Sequence, residues 1–177
     1  MSMHIDGKKV TAMYWGGRKI REAWYEGQRV FSGRPVEVMP PTPGADDARD
    51  WLRAKLTEYG EDYRTVEELP FEIDSSQATT MREMFWGCSA LVTAPIMDTS
   101  NVTDMYGMFR VCSSLTTVPD MDTSQVTNMM YMFQGCSSLT DGNVRLIGKH
   151  PRVNTTLMIG RSGLTREPFY DSSGQPI

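Results

Sequence analysis

Asp98-Thr99-Ser100-Asn101-Val102-Thr103-Asp104-Met105-Tyr106-Gly107-Met108-Phe109-Arg110-Val111-Cys112-Ser113-Ser114-Leu115 is the middle of three near-copies of one motif. The first copy runs from Asp74 to Leu91 and the third from Asp122 to Leu139, so the offset is 24 residues both times. A fixed period of this length marks repeated units, each too small to bury an apolar face alone. In the middle copy Met105, Met108, Phe109 and Cys112 fall at i, i+3, i+4 and i+7, which predicts a short helix with Thr103 at its N-cap. Leu115 to Val118 predicts a short extended segment stopped by Pro119. Stacked coils of helix and strand, an α+β solenoid, are the expected solution.

Stacking places equivalent residues in columns, about 4.8 Å apart where strands pair. Phe85, Phe109 and Phe133 form one column, and the methionines Met81, Met105, Met129 and Met84, Met108, Met132 form two more core columns. Cys88, Cys112 and Cys136 form another: small apolar fillers, with a disulfide or a three-thiolate metal site as the sharper alternative. Asp74, Asp98 and Asp122 form a column of like charges, which must be exposed or accept hydrogen bonds. A turn-stabilising role is expected for it, with a calcium ladder as the alternative.

The middle copy closely resembles the BspA-type leucine-rich repeat of bacterial surface proteins, a repeat found also in mycoplasma lipoproteins and bacteriophage virion proteins. The likeness covers about residues 74 to 140. It implies a short right-handed leucine-rich-repeat-like solenoid used for display and adhesion rather than catalysis. A degenerate fourth copy, Leu157 to Thr165, echoes Met132 to Thr140 at an offset of 25, with Arg161 in the place of the cysteine.

Solenoid ends need covers. Asp46 to Tyr59 reads as a helix with Trp51, Leu52, Leu56 and Tyr59 on one side and Gly60 at its end, the core of an N-terminal helical cap over 46–70. The solenoid is expected over 71–165, with an inserted helix at about 141–150, capped by Thr140 and ended by Pro151. Residues 166–177 read as an irregular tail. Residues 1–32 read as an antiparallel β-meander, because Ala12 to Ile20 is echoed by Ala23 to Phe31 with glycine turns between. Tyr14, Trp15, Trp24, Tyr25 and Phe31 put large rings on both faces of that small sheet, which is expected to anchor the protein to a partner. The segment 33–45 is proline-rich and reads as a stiff linker.

Residues 1–32 are net positive and residues 74–140 net negative, within a 177-residue chain of net charge −4. That balance argues against nucleic acid as a partner. No apolar run approaches the roughly 20 residues of a membrane span, and no export signal is expected at the N-terminus. His4 and His150 lie in no catalytic motif, so no enzyme activity and no cofactor are expected. The glycine-punctuated N-terminus also resembles segments of actinobacterial phage minor tail and accessory virion proteins.

The expectation is therefore an accessory structural protein of a phage virion, made in the host cytoplasm and displayed on the particle surface. Capsid decoration is favoured over a minor tail protein with a receptor-binding role, and a bacterial cell-surface adhesin is the remaining alternative. The expected partners are a major capsid or tail protein, a second copy of the chain and a host surface ligand. Trp86 and Tyr106, off the core, are the expected display residues.

Overall fold

A computed structural model describes the backbone of residues 3–5, 8–10, 13–15, 18–25, 28–42, 44 and 46–177, and side chains from Arg34 onward except at 43 and 45. The strands are β1 (Met3–Ile5), β2 (Lys8–Val10), β3 (Met13–Trp15), β4 (Arg18–Tyr25), β5 (Gln28–Val38), β6 (Glu72–Asp74), β7 (Met121–Asp122), β8 (Leu146–Ile147) and β9 (Phe169–Tyr170). The helix among the described residues is α1 (Asp47–Glu58).

The leucine-rich-repeat-like solenoid with helical caps behind an antiparallel meander is not what forms. None of the sequence copies contains a helix, and 141–150 holds turns and β8 in place of the inserted helix. The reason lies in the backbone of each copy. Glu83 and Gly87, Gly107 and Val111, Tyr131 and Gly135, and Leu157 and Arg161 all have positive φ. Two left-handed residues four apart cannot sit inside a right-handed helix.

Alternate residues instead bond in different directions. Met105, Gly107, Phe109 and Val111 donate their N–H groups to the carbonyls of Asn128, Met130, Met132 and Gln134 in the next copy, at 2.8–2.9 Å. Met108, Arg110 and Cys112 donate locally, to the residue three before each. The result is a series of tight turns laid side by side, joined by parallel bridges Thr80 to Asp104, Asp104 to Asn128 and Asn128 to Asn154. The apolar spacing of Met105, Met108, Phe109 and Cys112 still marks the buried face, because local i to i+3 bonds turn those side chains inward. Thr103 is no helix cap: its hydroxyl donates to the Thr79 carbonyl at 3.3 Å.

The N-terminal strands form two sheets rather than one meander. β1 and β2 pair antiparallel by themselves, while β3, β4 and β5 continue into parallel β6. β5 runs through Pro35, whose missing N–H falls where the register with β4 is irregular, between Ile20 and Glu22. β5 thus extends into the proline-rich segment, and Met39 and Thr42 beyond it are fully buried.

α1 lies where the sequence places it, with Tyr59 as C-cap and Gly60 left-handed behind it. Leu52 and Leu56 are buried, and Trp51 and Tyr59 bracket Phe71 at ring distances of 6.2 and 5.0 Å. At the other end β7, β8 and β9 form a parallel three-stranded sheet. The segment read as an irregular tail supplies β9 and buries Phe169 against the core. The fourth copy is aligned one residue later than the sequence reading has it. Phe133 donates to the Met158 carbonyl and Gly135 to that of Gly160, so Arg161 stands opposite Gly135 and Ser162 opposite Cys136.

Val111 is β-branched, 46% exposed, and left-handed at φ 63 where the flanking copies have Gly87 and Gly135. A left-handed L-residue costs roughly 1–2 kcal/mol, partly offset by the entropy glycine loses on folding. Val111→Gly is therefore expected to stabilise the protein by about 0.5–1 kcal/mol, read as a higher urea midpoint. An unchanged or lower midpoint would contradict the strain.

Candidate binding face

Phe85, Phe109 and Phe133 are fully buried and stack with centroids 5.2 and 5.8 Å apart and planes within 8° of parallel. This column fixes the spacing of the copies, and therefore of what projects from their outer side. The cysteine column lies beside it. All three thiols are buried and free, with Cys112 Sγ donating to the Phe85 carbonyl at 3.0 Å and Cys136 Sγ to that of Phe109 at 2.9 Å.

Burial pushes the Cys88 and Cys136 thiols up to about 12 and Cys112 well above its ordinary 9.0. Two outcomes are expected. The native protein resists a thiol reagent at pH 8 and the urea-unfolded chain reacts at all three positions. Stability also falls as pH rises from about 9 towards 12, because unfolded thiols lose protons there and buried ones keep them. Rapid labelling of the native protein, or a flat alkaline profile, would contradict the burial.

Asp74, Asp98 and Asp122 are exposed, and each accepts the N–H of the residue two ahead, Ser76, Ser100 and Ser124, at 2.9–3.2 Å. The Ser100 hydroxyl and N–H hold the Asp98 carboxyl below its ordinary value. These are turn contacts. Among the described residues no group of three or more His, Cys, Asp or Glu side chains is placed to hold a metal ion. No described helix is long and apolar enough to cross a membrane. His150 sits in a loop, not at a helix end, and its Nδ1 accepts the Arg152 N–H at 3.2 Å.

The outer side of the turns carries a set of arginines laid on aromatic rings. Arg82 lies 3.8 Å from the centroid of Tyr106, Tyr106 meets Tyr131 edge-on at 5.5 Å, and Arg110 lies 5.1 Å from Tyr131. From α1, Arg53 covers Tyr63 at 4.2 Å, approaches Trp86 at 5.7 Å and donates to the Trp86 carbonyl at 3.3 Å. Arg64 sits on the same Tyr63 ring at 5.0 Å. A guanidinium placed against a ring can still offer N–H groups to an oxyanion.

The two display residues expected from sequence are both in this set, Trp86 at 38% exposure and Tyr106 half-buried. The sequence reading missed Arg53, Tyr63, Arg64, Arg82, Arg110 and Tyr131. The period held part of the signal, since Arg82 is one repeat from Tyr106. The side chains of Tyr14, Trp15, Trp24, Tyr25 and Phe31 lie outside the described residues. A second feature is a groove of about 970 Å³ between β6 and residues 94–98, where Ile96 is 81% exposed.

Among known proteins, a family described as "Mycoplasma protein of unknown function, DUF285" matches residues 59–156, more than half of the chain. No curated protein and no solved structure matches it.

Proposed function

The chain belongs to the DUF285 family, and from that premise we propose that it is a non-enzymatic display protein whose arginine-and-aromatic face meets a ligand. Its N-terminal strands are the anchor in this reading, and the setting is the surface of a phage particle, as capsid decoration or a minor tail component. The observation that carries the binding role is the cluster of Arg53, Arg64 and Arg110. Each rests on an aromatic ring. Among the described residues none of the three has a carboxylate partner, whereas Arg49, Arg82 and Arg145 do. A net-acidic chain that leaves three clustered cations unneutralised keeps them for an outside anion.

Mass spectrometry of particles purified from the encoding phage tests the setting. Hundreds of copies per particle are expected of a decoration protein and a handful of a tail component. Absence from particles, with recovery from the surface fraction of cells, would replace this reading with the cell-surface adhesin. In favour of that second reading, the family's description names Mycoplasma, a cellular source rather than a phage.

A further inference from the structure

We infer that the ligand of this face is a linear polymer linked by phosphodiesters and free of bases, of the polyol-phosphate or sugar-phosphate kind. The inference rests on the reading of the arginine-and-aromatic face as a binding surface and names its ligand class. Arg53 and Arg64 bear on one ring, Tyr63, at 4.2 and 5.0 Å. Their charges therefore lie within about 9 Å of each other, close enough for one polyanion to meet both. Arginine pairs with phosphate in bidentate fashion, and the two free oxygens of a phosphodiester, set on a tetrahedral phosphorus, can be approached from outside a single plane.

A third cation of the cluster lies one copy further along. Arg110 has its Nε buried without an acceptor among the described residues, although the rest of its side chain is half-exposed. The half-exposed Arg110 side chain carries further N–H donors that a ligand oxygen can meet. Cations at successive copies suit a ligand with anions at intervals, and so a polymer.

Charge and geometry disfavour nucleic acid. The chain is net acidic, and Tyr63, Tyr106 and Tyr131 each have a guanidinium on one face, which leaves Trp86 as the more open ring for a base to stack on.

The test uses the full chain and three soluble probes: poly(glycerol phosphate), polygalacturonate and a 20-nucleotide oligothymidylate. Binding is followed by calorimetry and by Trp fluorescence. Poly(glycerol phosphate) is expected to bind best, more weakly as salt rises, and Arg53→Gln with Arg110→Gln to weaken it at least tenfold. Arg145→Gln, whose arginine pairs with Asp120 beside β7, is expected to bind as the parent does. Circular dichroism melts confirm that each variant is folded.

Equal or tighter binding of polygalacturonate or the oligonucleotide would overturn the assignment, as would a double variant that binds unchanged. If no probe binds but the double variant still reduces attachment of the protein to whole cells, the polymer is wrong and the binding face stands. If attachment is unchanged as well, both fall.

Discussion

Phe109→Ala is expected to destabilise the protein by about 3–5 kcal/mol, the range for truncating a buried Phe. Phe109 is the middle ring of the buried column, 5.2 Å from Phe85 and 5.8 Å from Phe133. The flanking copies are held at fixed separation by backbone bonds that the substitution leaves in place, Phe85 to Met108 and Phe109 to Met132, both 2.9 Å. The void therefore cannot close by collapse, which puts the cost towards the upper part of the range. Against a total stability of roughly 5–15 kcal/mol for a domain, the loss should be visible as a large drop in urea midpoint. Phe109→Ile should cost about half as much, because most of the volume is kept, and Ile159 already stands next to Phe133 in the fourth copy. A loss below 1 kcal/mol for the alanine variant would mean that the stack does not hold the copies together.

How much of this was legible beforehand depends on which physical term decided each element. The buried set follows from the period: Met81, Met105 and Met129, the three Phe and the three Cys all lie in the core where the columns put them. The conformation of the copies does not follow. Spacing of i, i+3, i+4 and i+7 describes a turn that buries one side, and a helix is only one backbone that does so. The deciding feature was the pair of left-handed positions four apart. Glycine marks one member of each pair in the first three copies, as Gly87, Gly107 and Gly135, while its partner is Glu83, Val111 or Tyr131. In the fourth copy Leu157 and Arg161 carry no such mark at all.

The binding face was half-legible for a similar reason. Column arithmetic brings Arg82 to Tyr106, but the meeting of Arg53 with Trp86 crosses from α1 to the first copy, 33 residues away. The N-terminal pairing was hidden because β5 continues through Pro35, a residue that reads as a linker when the neighbouring register irregularity is unseen.

Thr42→Val should cost about 2–3 kcal/mol, through loss of a single oxygen. Thr42 is fully buried, and its hydroxyl donates to the Thr80 carbonyl at 2.8 Å while accepting the N–H groups of Thr80 and Thr79 at 3.1 and 3.2 Å. Valine keeps the shape and removes all three bonds. Thr80 is buried, so its N–H and carbonyl lose a partner with no water to replace it, whereas exposed Thr79 regains one from solvent. The position matters beyond its energy. β5 is tied to the rest of the chain by its parallel pairing with β6 and by the Met39 N–H to the Asp74 carbonyl at 2.8 Å, and Thr42 is the next tie along. Weakening it should loosen the segment between β5 and α1 before the stacked turns open. Limited proteolysis is expected to cut the valine variant near residues 39–46 faster than the parent, with a smaller change elsewhere. If cutting there stays at the parental rate while the urea midpoint drops, Thr42 supports the stacked turns as a whole. If both measurements stay at parental values, β5 is held by its pairing with β6, the Met39–Asp74 bond and the contacts of Glu37 with Tyr59 and Lys55, and Thr42 adds nothing to them.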